Sequence, residues 1–159
     1  MRTVIAYILV LILGEVCYPI GRYIFESYFF GLTLWMPERS VRPLFHGCLK
    51  GGSSSFLAIA SALGVFLLLL GPGSFGPIPF AVALLRPAKA IFRSARAAMY
   101  VWGPGKDRVA ADRVWRASNI NYVFKGDETY DNWKWLWSWG EVVGNVIGIA
   151  AGAYWLVSW

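Results

Sequence analysis

The chain has 159 residues and a formal net charge of +6, with hydrophobic residues at 57% before its 17 glycines are counted, and charged residues at only 15%. Soluble domains carry about 25% charged residues, and a chain this short buries only about two-thirds of the surface it exposes when unfolded, so a soluble globule is excluded. Disorder is excluded as well, because disordered chains are poor in aromatic residues and these make up 17% here.

The first apolar segment runs from Thr3 to about Ile20, the second is densest over Phe56–Gly71, and the third covers Trp135–Trp159. A helix crossing a bilayer needs about 20 mostly apolar residues. The expected fold is therefore an all-α integral membrane protein with three transmembrane helices and one interfacial amphipathic basic helix. A membrane hairpin fills 1–71, with helices at about 3–20 and 54–71 and an outer loop at 21–53. An inner-face section with a small polar lobe fills 72–133, and the C-terminal helix fills 134–159. Arg2 followed by Val4–Gly14 could also make a signal peptide, but no A-x-A-like site follows and Glu15 comes at once.

Lys and Arg accumulate on the cytoplasmic side of membrane proteins. With three crossings, Arg2 and the connection 72–134 hold eleven such residues against four on the other side. This predicts an inner (cytoplasmic) membrane protein with its N-terminus inside and its C-terminus outside. Cys17 and Cys48 then both fall on the outer side, where disulfides persist, and a Cys17–Cys48 bridge is expected. Two free thiols remain the alternative, since spacing does not establish proximity.

Glu15 lies about 20 Å along a helix from Arg2, and a carboxylate at such depth costs roughly 2.5–3.5 kcal/mol on insertion scales. Arg22, seven residues on, shares its face and is the expected ion-pair partner, with an intersubunit or ion-path role as the rival reading. Farther along, Gly71–Pro79 cannot continue a helix, and Phe80–Leu85 is too short to cross. An amphipathic helix follows, with Arg86, Lys89, Arg93 and Arg96 on one face and Pro87 suited to its first turn. Such a basic helix is expected in the headgroup plane, binding anionic lipids at about 1 kcal/mol per cation, in preference to nucleic acid. The polar lobe after Gly103 is too small for a core of its own.

In the third segment Gly140, Gly144, Gly148 and Gly152 recur every four residues. On a helix they form a smooth stripe, and in lipid close backbone contact along small residues is the adhesive between helices. Whether the partner helix lies in this chain or another stays open. Asn145, beside the stripe, is suited to an interhelical hydrogen bond, and Glu141 is expected to snorkel to water. Trp133, Trp135, Trp137 and Trp139 at one end, with Trp155 and Trp159 at the other, read as two aromatic belts.

Motifs for catalysis are weak. His46 and Cys48 cannot make a tetrahedral zinc site, and Gly103-Pro104-Gly105-Lys106 departs from a phosphate loop at Tyr100 and Asp107. No catalytic residue, metal or cofactor is assigned, and a membrane enzyme using Cys48 and His46 is the least favoured reading. The favoured one is a non-catalytic structural or assembly subunit of a larger inner-membrane complex of secretion, conjugation or energy-transducing type. Its partners would be other membrane subunits and anionic lipids, with homo-oligomers also open. The alternative is a small channel, transporter or holin-like pore.

Overall fold

The computed structural model describes residues 1–25, 28, 41–74, 76–102 and 130–158. Four long helices make up this part of the chain: α1 (Arg2–Ile24), α2 (Val41–Leu70), α3 (Pro77–Trp102) and α4 (Tyr130–Val157), with a 3-10 turn at Pro72–Ser74. No strand occurs among the described residues. Three of the helices, α1, α2 and α4, are long and apolar enough to cross a membrane, which fits a multi-pass membrane protein. The lobe at 103–129 and the side chains of Trp133, Trp135 and Trp159 lie outside the described residues.

Each helix is longer than the sequence pattern suggests. The largest change is at α2, which begins at Val41 and not near 54, so 41–53 of the expected outer loop is helical. Arg42, His46 and Lys50 in this stretch are four residues apart, and Gly47 and Gly51 pack against another helix instead of ending this one. The break at 71–76 does form where Gly and Pro accumulate. Gly71 takes a positive φ of 83°, the left-handed conformation that closes a helix C-terminus, and its N–H donates to the Leu67 carbonyl at 2.7 Å. Helix α3 resumes at Pro77, a residue suited to the first turn, so Pro87 falls in the helix interior and not at its start.

The directions of the helices follow from their contacts. Leu44 faces Gly140, Cys48 faces Gly144 and Gly52 faces Gly148. Residue numbers rise together along the seam, so α2 and α4 run parallel. Helix α1 is antiparallel to α2: Tyr7 meets Phe66 edge-on at 5.3 Å, Gly21 abuts Ser53 and Ser54, and Phe25 meets His46 at 5.0 Å. Helix α3 runs parallel to α1, with Ala83 in a core cluster beside Ala6 and Val10, Arg86 against Gly14 and Ala90 beside Tyr18.

The result is a four-helix bundle in which α3 packs on α4, α1 and α2. It is not a helix set apart on the surface. Its buried seam is made of small residues, Ala83, Pro87, Ala90, Ser94 and Ala97. Its outward stripe is Ile78, Leu85, Phe92 and Met99, spaced by seven and 58–77% exposed. Parallel α2 and α4 also place Met1 and the Val157 end of α4 at one end of the bundle. The expected arrangement, termini on opposite sides, needs α2 and α4 antiparallel and does not fit this geometry.

Candidate functional site

The interior of the bundle divides into a dry half and a polar half. Near the termini, Ala6, Val10, Ile59, Ala62, Leu63, Phe66 and Ala83 form a fully apolar cluster. Toward the opposite end polar groups join the buried apolar residues, among them Asn145, which is completely buried. Its Oδ1 accepts hydrogen bonds from the Tyr18 hydroxyl at 2.9 Å and the Ser55 hydroxyl at 2.5 Å, and its Nδ2 donates to the Glu141 carbonyl at 2.7 Å. This amide therefore ties α1, α2 and α4 together in a setting where a lost partner leaves a buried polar group unsatisfied.

Next to this network lies a cavity of ≈ 80 Å³, to which all four helices contribute. Its walls include Tyr18 and Arg22 from α1, Lys50 and Ser54 from α2, Arg86, Arg93 and Ser94 from α3, and Trp137 and Glu141 from α4. The back is buried: Tyr18, Lys50, Ser54, Ser94 and Trp137 are each at most 6% exposed. Arg93 and Pro19 are exposed, and Arg22, Arg86 and Glu141 partly so, which puts the mouth between α1 and α3.

Two cations are held by aromatic faces. The Lys50 ammonium stands 4.6 Å from the Trp137 ring centroid, and the Arg86 guanidinium stacks 4.3 Å from that of Tyr18. Such contacts strengthen when water is excluded. Arg86 Nε also lies 3.0 Å from a Glu15 carboxylate oxygen, an ion pair whose N–H direction misses hydrogen-bond geometry. Glu15 is mostly exposed on the outside of the bundle, and at this depth a carboxylate without a cation is costly. The consequence of the pair is local, since it anchors the arginine at the cavity edge.

The glycine stripe is the tightest contact in the molecule. A Cβ placed on Gly140, Gly144 or Gly148 would run into the carbonyl of Leu44, Cys48 or Gly52, and one on Gly47 or Gly51 would strike the backbone of α4 at Trp137 or Glu141. Gly152 is looser, with its nearest neighbour, an Ile59 methyl, at 3.1 Å. The stripe thus finds its partner within the chain, and α2 supplies a matching stripe at Gly47, Gly51 and Ser55.

The other sequence-assigned residues are distributed as follows. The four α3 cations separate into Arg86 and Arg93, which line the cavity, and Lys89 and Arg96, which are exposed. Glu15 pairs with Arg86 from α3, beyond the sequence-local range in which Arg22 was the expected partner. Glu141 faces the cavity between helices. Cys17 and Cys48 are both half-buried free thiols, so the expected bridge is not formed. His46 packs on Phe25, while Cys48 lines a separate groove. Sequence reasoning missed Lys50, Ser54, Ser94 and Tyr18 as site residues. The seven-residue spacing of Arg86 and Arg93, matching that of Glu15 and Arg22, was the available signal.

The chain matches no family model, no curated protein and no solved structure.

Proposed function

We propose that this chain is a non-catalytic structural or assembly subunit of a larger complex in an inner membrane, of the secretion, conjugation or energy-transducing kind. The observation that carries this reading is an apolar groove of ≈ 500 Å³ on the outside of the bundle, between α1, α2 and α4. Gly21, Gly52, Gly148 and the exposed Ala151 form its floor, and Leu49, Phe56, Leu57 and Ile147 line its sides. Small residues on a membrane helix face let a second backbone approach closely, so the groove suits a transmembrane helix of another subunit. A photocrosslinker at Leu57 or Ile147 should join the chain to one defined membrane protein in stoichiometric yield, while one at Phe92 on the opposite face should not. Crosslinks to lipid alone from both positions would overturn the reading.

The alternative, a pore, is supported by the cavity and its intramembrane charges. Against a pore through one chain stands the apolar cluster that closes the cavity below Asn145. This alternative would need several copies, and crosslinks from the groove to a second copy of the same chain would favour it.

The same reading includes a membrane orientation. The large apolar stripe Ile78–Leu85–Phe92–Met99 suits α3 to lipid along its length, making it a fourth crossing helix. Apart from Arg2 and the mid-helix Arg86 and Lys89, the Lys and Arg residues then lie toward the end of the bundle away from the termini, or in the two connections at that end. By the positive-inside tendency that end is cytoplasmic, and both termini are outside.

A further inference from the structure

We infer that the cleft between the four helices is a binding site for a single phosphate-type oxyanion, most simply the phosphodiester of an anionic phospholipid. Surface adsorption by a basic helix would place all four α3 cations in the headgroup layer alike. The bundle instead brings the partly buried Arg86 and the rim residue Arg93 to one cleft, and adds Arg22 and Lys50 from two other helices. Against four cations stand Glu141 in the cavity wall and Glu15 at its edge, on Arg86. Among the described residues the cleft thus gathers more cations than acids, in a site with buried walls where charge-assisted hydrogen bonds are strong.

Its size and position select the ligand class. A volume of ≈ 80 Å³ leaves room for one tetrahedral oxyanion inside the cleft, with the group that carries it outside the mouth. The Ser54 and Ser94 hydroxyls in the buried wall can each donate to an anion oxygen. Arg22 and Arg93 stand near the end of α1, about 10 Å or more beyond the level of Glu15, at headgroup depth. The mouth between α1 and α3 opens beside the exposed Ile20 and Phe92, where the acyl chains of a bound lipid would run. Basic pockets between transmembrane helices have this character where they hold anionic headgroups. The site is independent of which end of the bundle is cytoplasmic and of whether a partner occupies the groove.

The test uses the full-length protein in nanodiscs of phosphatidylcholine, with tryptophan fluorescence as the readout because Trp137 lines the cavity. Phosphatidylglycerol should produce a saturable change, and inorganic phosphate the same change only at far higher concentration. Arg22→Gln with Arg93→Gln should weaken the response about ten-fold or more, given roughly five-fold per cation near anionic lipid. Lys89→Gln with Arg96→Gln, which removes the same charge from the exposed positions of α3, should leave it within about two-fold. If phosphate saturates the site and lipid does not, the site stands with a dissolved anion as its source. If neither ligand gives a saturable response, or if the two double variants weaken it equally, the assignment is wrong. Circular dichroism and thermal melting of each variant separate loss of binding from loss of fold. Should the Arg22/Arg93 pair fail to fold, Arg93→Gln alone, at the exposed rim, gives the comparison.

Discussion

Along α2 and α4 two helices touch backbone to backbone, whereas α1 and α3 meet through side chains around a partly open polar cavity. The first contact leaves no room for a single added carbon at Gly140, Gly144 or Gly148. The second joins Glu15, Arg86 and Tyr18 over distances of 3.0–4.3 Å and leaves space beside them. One side of the bundle is thus committed to holding the fold, and the other keeps open space between its side chains. In a bilayer this division is physically reasonable, since helix association there depends on close packing rather than on escape from water.

The comparison breaks most visibly at its tight side. Gly144→Leu should destabilise the protein by about 3 kcal/mol or more, because the obstruction is a backbone carbonyl that cannot change rotamer. Gly64→Leu, on the same helix pair but facing open space, should stay within about 0.5 kcal/mol. Equilibrium unfolding in mixed micelles measures both, and equal costs would remove the distinction between seam and surface.

A smaller effect is expected where the two sides join. Asn145→Leu should cost about 1–2 kcal/mol, and a double-mutant cycle with Tyr18→Phe should give a coupling of roughly 0.6–1.7 kcal/mol. A coupling near zero would mean that α1 is held by its apolar contacts alone. The smallest change belongs to Glu15→Gln, expected at about 1 kcal/mol, because the amide keeps an acceptor beside Arg86 and removes a charge that is costly at this depth. A collapse of stability or assembly in that variant would revive the reading of Glu15 as a functional intramembrane acid.

The sequence made parts of this comparison legible and hid others. The stripe at Gly140–Gly152 was readable because glycines every four residues stand out in an apolar run. Its counterpart at Gly47, Gly51 and Ser55 was not, because Gly51-Gly52-Ser53-Ser54-Ser55 reads as a chain break beside the charged Lys50. The same residue type punctuates a loop and lubricates a helix contact, and only the partner helix decides which. Helix α3 was obscured in a similar way. Its basic face suggested a surface helix, but Ala83, Ala90 and Ala97 form a packing seam whose small residues carry little hydrophobic signal. Once α3 joined the bundle, the end at which each terminus lies changed with it. The cavity depends on residues from four helices, and spacing within a segment carries no information about such convergence.

The central claim is the parallel alignment of α2 and α4 with α3 returning between them, and sidedness of the chain ends tests it directly. On a background with Cys17 and Cys48 replaced by Ala, Thr3→Cys and Ser158→Cys variants can be labelled in sealed vesicles with a membrane-impermeant maleimide. The four-helix arrangement predicts that both positions react from the same face, and that Asp127→Cys, in the connection at the other end, reacts from the opposite one. Labelling of positions 3 and 158 from opposite faces would contradict it.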